Sequence, residues 1–213
     1  MTDESTALAR LAHLNAVLRG IRSVNKLLAR ERDPDELLRQ AAEQLVEARG
    51  FLAVAIVRTE GDVVTRSFLA GRAEERAALG RALASGALPE CLLLATHDGQ
   101  HVARPHPVRE CRGCPVNHEC ASHRDSFAAP IEHERRRFGA VLVVLPEGAA
   151  SLSDELDLLG ELCSDLAMGL RNIALGAALR ESEQRFRRAL ETIPDVIVIY
   201  DRDLRIRYIN AAA

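Results

Sequence analysis

Tryptophan is absent from this chain, and aromatic residues make up only 3% of its 213 positions. Stacking on nucleobases or sugars relies on such rings, so it is not an expected activity. Neither sign of charge dominates. There are 28 Lys and Arg against 31 Asp and Glu, a formal net charge of -3, and no basic footprint points to nucleic acid. No apolar run approaches the roughly 20 residues that span a bilayer. The opening MTDESTALARLAHL is acidic, then helical in pattern, and lacks the basic start and apolar stretch of a secretory signal. The expectation is a cytoplasmic chain that engages neither nucleic acid nor membrane. Catalytic groupings are missing as well: no Ser–His–Asp set, no helical HExxH and no paired carboxylates in an apolar setting, so no enzyme is expected.

Apolar residues supply 47% of the chain, enough for a real core. Cysteine is scarce but concentrated. Of five cysteines, Cys111, Cys114 and Cys120 fall in the polar stretch ECRGCPVNHEC, with His118 inside it and His123 just beyond. In a reducing cytosol, clustered thiols point to metal or redox chemistry rather than structural disulfides. The Cys-x-x-Cys spacing of Cys111 and Cys114 lets both sulfurs face one ion from a tight turn. Gly113 gives that turn freedom and Pro115 stiffens its exit. Cys120 is reachable within the same loop, and Cys91, just before the strand leading into it, is the candidate fourth ligand. Four thiolates suit an iron–sulfur cluster or zinc. One tight pair with two separated cysteines leans toward a cluster, whereas His118 and His123 keep a Cys3His zinc site open. A metal-free thiol switch is the bland alternative. His97, His101 and His106 are read as ordinary surface histidines.

The periodicity gives an α+β order of elements. Leu11, Leu14, Leu18, Ile21, Asn25 and Leu28 step by three and four within a helix from Leu8 to about Arg30, as in a coiled-coil seam. Asp33 caps and Pro34 opens a second helix, which Gly50 stops. FLAVAIVRT and VVTRSFLAG read as strands joined by a turn over Glu60, Gly61 and Asp62. RAEERAALGRALASG is helical, PECLLLATH is a short helix with Cys91 in its first turn, and QHVARP is a brief edge strand. DSFAAPIEHERRRFGAVLVVLPEG reads as two antiparallel strands joined by the charged turn Glu132 to Arg136. A long helix follows with its own seam, Leu156, Leu159, Cys163, Leu166, Leu170, Ile173 and Ala177, for which a partner helix is expected. Cys163 is a small apolar seam residue there. Pro194 ends that helix, and VIVIYD and LRIRYIN form a hairpin at the start of a second domain.

DPDELLRQAAEQLVEARGFLAVAIV resembles the opening helix and first strand of a GAF domain. APIEHERRRFGAVLVVLPEG followed by SDELDLLGELCSDLAMGL resembles its last strands and exit helix, and RESEQRFRRALETIPDVIVIYDRDLRIRYINAAA resembles the opening of a PAS domain. The resemblance implies a GAF-like antiparallel sheet covered by helices, with long N- and C-terminal signalling helices. The expected divisions are a signalling helix over 1–32, the GAF core over 33–150, an exit helix and linker over 151–190, and a truncated PAS opening over 191–213.

GAF–PAS tandems typically belong to bacterial signalling proteins, with a histidine kinase, a cyclic-dinucleotide enzyme or a transcription activator downstream. The resemblance therefore implies a sensory module that forms a parallel homodimer through its end helices. No phosphoacceptor region, nucleotide-binding motif or GGDEF-like signature is present. The PEC…CxxCP arrangement resembles that of sensor GAF domains, which implies a redox, oxygen or nitric oxide signal read at Cys91, Cys111, Cys114 and Cys120. The alternative is a small-molecule-binding or dimerisation module with a structural zinc or thiol switch, its pocket lined by residues such as Arg66, Phe68, Arg104 and Phe127. Cyclic-nucleotide and bilin patterns fit poorly. Asn25-Lys26 is present, but no suitable Phe precedes Asp35-Glu36, and Ala121 and Ser122 separate Cys120 from His123.

Overall fold

In the computed structural model, which describes residues 2–48, 51–60, 63–84, 89–104, 125–145 and 152–212, Asp33 caps a helix as its sequence demands. Its carboxylate accepts a hydrogen bond from the Glu36 backbone N–H at 2.8 Å, and α2 then runs Pro34–Glu47. The Asp side chain thereby satisfies one of the orphan amides of the first turn. Arg39 and Gln40, hydrogen-bonded to Glu36, hold that carboxyl down at about 2. Before α2 comes α1, Thr2–Arg30, which starts earlier than the periodicity indicated.

Alternating and continuously apolar segments form the strands β1 (Ala53–Glu60), β2 (Val63–Gly71), β3 (Val102–Arg104), β4 (Ser126–His133) and β5 (Arg136–Val144). They make one antiparallel sheet in the order β2-β1-β5-β4-β3. Between β2 and β3 lie α3 (Ala73–Ala84), α4 (Glu90–Leu93) and a π turn over Leu94–Asp98. After β5 comes α5, Leu152–Glu191.

Side chains alternate across a strand, so each strand feeds two layers. One sheet face carries Ala53, Ala55, Val57, Ala128, Ala140 and Leu142, packed with Leu79 of α3 and with Cys91, Leu92 and Ala95. The other face buries Val54, Ile56, Phe127, Ala129, Ile131, Val141 and Val143. There α2 lies against β1 and β2, and Cys163 of α5 reaches the Ala129 carbonyl. Gly139 permits the close register of β5 on β1. Its φ is 154, and an added Cβ would stand 1.8 Å from the Val57 carbonyl oxygen.

The two expected seams behave differently. Leu159, Cys163, Leu166 and Leu170 are buried in this domain's own core, so that stretch of α5 needs no partner helix. Ile173 is buried, Ala177 is exposed, and the Leu156 side chain lies outside the described set. On α1 the reverse holds. Ala16, Val17, Gly20, Val24 and Leu27 are buried, with α1 lying against α2, whereas Leu11 and Leu18 of the expected stripe are 58% and 47% exposed and Asn25 faces solvent. The domain-facing side of α1 is thus a second stripe, offset from the one the periodicity singled out. From Asp157 to Glu191, α5 is also long and apolar enough to cross a membrane by length and composition alone, a test that a core helix passes too.

The chain divides into two units, Met1–Leu170 and Arg171–Ala213. In the second, β6 (Val198–Tyr200) pairs antiparallel with β7 (Ile206–Ile209), as the sequence indicated. Asn210, only 3% exposed, fastens this hairpin: its backbone N–H donates to the Ile197 carbonyl and its Oδ1 accepts from the Ile197 N–H.

Candidate functional site

Cys111, Cys114, Cys120, His106, His118 and His123 lie outside the described residues, as does the turn at Gly61 and Asp62. What the structure describes is the frame that holds the cysteine segment. Arg104, the last residue of β3, stands opposite Ser126, the first of β4, and Val102 stands opposite Ala128. The segment 105–124 therefore leaves and re-enters the sheet at neighbouring strand ends.

Cys91 is described. Pro89 cannot continue a helix backwards from its own position, and α4 begins immediately after it, which puts Cys91 in the first turn. Its side chain is 7% exposed and belongs to the same buried cluster as Val102 and Ala128, the pair that frames the cysteine segment. The remote cysteine is thus carried to the sheet face beneath the two framing strands. Thr96, in the following π turn, donates its hydroxyl to the Leu92 carbonyl at 2.7 Å, which pins the short helix to the turn.

Cys163 sits in the opposite layer. It is 1% exposed, its thiol points to the Ala129 carbonyl oxygen at 3.9 Å, and burial pushes its ionisation strongly upward. A thiol held protonated in an apolar core packs as a small hydrophobe and makes a poor ligand or nucleophile. His97 is exposed in the π turn, and His101 lies against α5, with its Cε1 2.9 Å from where a Cβ on Gly160 would be. Among the described residues, no group of three or more His, Cys, Asp and Glu is arranged to hold a metal.

The four residues offered for an organic pocket do not come together as one. Phe127 is fully buried in the core, and Phe68 stands opposite Ile56 on that same sheet face. Arg66 is an exposed surface cation 3.6 Å from Asp35 of α2, and the Arg104 side chain lies outside the described set. Sequence patterning does not bring together Arg58, Thr59, Arg135, Arg136 and Arg137, which line an open cleft. The one local signal for it is the run of three arginines in ERRRF, which by itself indicates no more than a charged turn.

With this geometry in view, comparison with known proteins places the fold. A free methionine-R-sulfoxide reductase from Neisseria meningitidis, solved in complex with its substrate, is 20% identical at a TM-score of 0.53, over 73% of this chain and 89% of that one. The GAF domain of a phosphoenolpyruvate-protein phosphotransferase from Coxiella burnetii is 11% identical at a TM-score of 0.53, over 78% and 98%. The GAF domain of the cyanobacteriochrome TePixJ is 15% identical at a TM-score of 0.51, over 70% and 95%. The sheet domain therefore has the GAF fold. Residues 184–213 match a PAS domain family model, so a PAS start follows it. No curated protein matches the chain.

Proposed function

We propose that this chain is a sensory input module: a GAF domain that reads a chemical signal at a cysteine-ligated centre and passes it through α5 toward the PAS start. The observation that carries this reading is the position of Cys91. Of the four candidate ligands, the one most remote in sequence is buried in the cluster containing Val102 and Ala128, on the strand pair that frames the segment bearing Cys111, Cys114 and Cys120. Four thiolates form a soft donor set, suited to an iron–sulfur cluster or to zinc, and His118 or His123 could replace one sulfur on zinc. An iron–sulfur cluster, when bound, supplies sensitivity to oxygen, nitric oxide or redox poise. The chain's own contribution is to tie α4 to the frame of β3 and β4 through shared ligation. Release of the thiols would remove that tie and bias the packing of the helices around the sheet, an order-to-disorder device of a familiar kind.

The same reading includes a parallel homodimer through the end helices and an output domain downstream. Leu8, Leu11 and Leu18 leave α1 with apolar side chains 63%, 58% and 47% exposed, a stripe suited to a second copy. A dimerisation or small-molecule-binding module with a structural zinc or a thiol switch is the alternative this stripe also favours.

Purification without oxygen, followed by elemental analysis and an optical spectrum, separates the readings. A coloured protein with iron and sulfide, whose visible absorption disappears in Cys91→Ser and Cys114→Ser, supports the cluster. A colourless protein with one zinc per chain supports the structural centre. Metal-free protein at full occupancy of reduced thiols would sink the ligated centre and leave the thiol switch or scaffold. Light scattering of Leu11→Glu/Leu18→Glu is expected to give monomers where the parent is a dimer.

A further inference from the structure

The β4–β5 hairpin turns on two residues that both lie in the left-handed region, Glu134 at φ 49 and Arg135 at φ 64. Two-residue turns of this hand favour Asn-Gly or Gly-Gly, because a Cβ is disfavoured there. The strained pair runs straight into Arg136 and Arg137, and the three consecutive arginines line an open cleft of about 640 Å³. Its other walls are Arg58, Thr59 and Glu60 of β1, Thr96 of the π turn and Phe138 of β5, so four arginines face one carboxylate residue. Both contributing hairpins are irregular at this point. The β1–β2 register shifts between Arg58 and Thr59, and the β4–β5 register shifts between Ile131 and Glu132. Irregularities of this kind re-aim side chains beside sites.

The charges around the cleft are unequally matched. Arg58 pairs with Asp35 at 2.6 Å and lies 4.0 Å from the largely exposed Glu60 carboxylate. Arg137 binds Glu132 through Nε at 3.0 Å and donates through Nη1 to the carbonyls of Thr96 and His97. Gly99, at φ 68, leaves room for that pair: an added Cβ would lie 3.2 Å from Glu132 Oε2. Arg136 lies over the Phe138 ring, 5.2 Å from its centroid. Arg135 is exposed and has no anionic partner among the described residues. Thr59 is the second unmatched group. It is 6% exposed, and its Oγ1 has no hydrogen-bond partner among the described residues. A buried hydroxyl without a partner is unfavourable, and this one is sealed beneath the cleft wall rather than presented to it.

We infer that this cleft is a binding site for a small, multiply charged oxyanion, of the phosphorylated or polycarboxylate kind. Guanidinium groups match the geometry of both, and the volume falls in the range of small-molecule sites. Arg135 and Arg136 supply the charge at the rim. The cleft uses none of the cysteines, so it stands whether or not they hold a metal.

Calorimetric titration of the full chain with pyrophosphate and with citrate, in about 150 mM KCl to screen loose surface attraction, tests this. Saturable one-to-one binding of either probe is expected, and which probe binds names the ligand class. Arg135→Gly removes the cation while relieving the left-handed backbone, so it should melt no lower than the parent yet bind at least about tenfold more weakly. Arg136→Gln keeps a long polar side chain and removes the second rim cation, and should lose affinity as well. Absence of saturable binding by both probes, or undiminished affinity in either variant, overturns the assignment.

Discussion

The side-chain amide of Asn210 donates to the Leu190 carbonyl at 3.1 Å, joining the end of the last helix to the strand after it. The same nitrogen reaches the carbonyls of Ile193 at 3.1 Å and Asp195 at 2.9 Å. An amide carries two hydrogens, so one is shared among these three acceptors. Helix C-termini leave carbonyls without intrahelical partners, and Asn210 supplies partners from a distant position in sequence. Asn210→Ala removes every one of these side-chain bonds, which are part-buried, so the freed carbonyls regain water. The expected cost is about 1–2 kcal/mol, the net loss of a few ordinary hydrogen bonds. Hydrogen exchange should show faster exchange at Ile197, Val198 and Ile209, with β1 and β5 unchanged. Equal protection in the two proteins would count against the clamp.

Beside that clamp, Tyr208 donates its phenol to Glu191 at 2.7 Å. Desolvation, then the hydrogen bond and the charge of Glu191, raise its ionisation above the ordinary value of 10.0. A raised phenol favours the protonated form in the folded hairpin. Its contribution is fully present below the unfolded value and is lost as pH rises through the folded one. Tyr208 is one of two tyrosines. In a Tyr200→Phe background, ultraviolet titration should therefore give a single phenol that titrates above 10, and Glu191→Gln should move it back down.

Cys163 should differ in chemistry from Cys91 and from the cysteines of the segment 105–124. Cys163 is held protonated by burial, so alkylation of native, metal-free, reduced protein should leave it unlabelled until denaturant is added. Peptide mass mapping reads this directly. Cys163→Ala should cost about 1–2 kcal/mol through lost packing while leaving metal content unchanged, whereas Cys91→Ser should lower metal content.

Two glycines make opposite predictions. Gly139→Ala would drive a methyl into the Val57 carbonyl at 1.8 Å on a left-handed backbone. A loss of about 2–5 kcal/mol is expected, combining overpacking with backbone strain. At Gly176, inside α5, nothing lies within 4 Å of an added Cβ. Gly176→Ala should therefore stabilise by about 0.5–1 kcal/mol, the ordinary helix-propensity gain. Thermal melts of the two variants against the parent check both signs.

Much of the fold was legible because its signals are local. Asp33-Pro34 names a helix start through one side-chain acceptor and one fixed φ, and the strand pair around Glu132 to Arg136 declares itself through apolar runs broken by charge. Faces were harder. A three-and-four periodicity identifies an apolar stripe but not what covers it. On α5 the stripe through Cys163 closes this domain's own core, whereas on α1 the domain takes the Val17–Val24 side and leaves Leu11 and Leu18 outward. The arginine cleft was hidden for a different reason. Glu134 and Arg135 adopt left-handed backbone against their own preference, and Arg58 comes from a strand far away in sequence. Neither a strained turn nor a long-range juxtaposition leaves a mark in a short window of residues.

The pairing of Arg104 with Ser126 carries a consequence for how such a domain can diversify. Partners across an antiparallel ladder stand about 5 Å apart, so the two attachment points form a socket of fixed width whatever hangs from them. Lengthening a surface connection costs little beyond its closure entropy. A replacement insert of different size or composition could thus be spliced between the same two residues without re-registering a single strand.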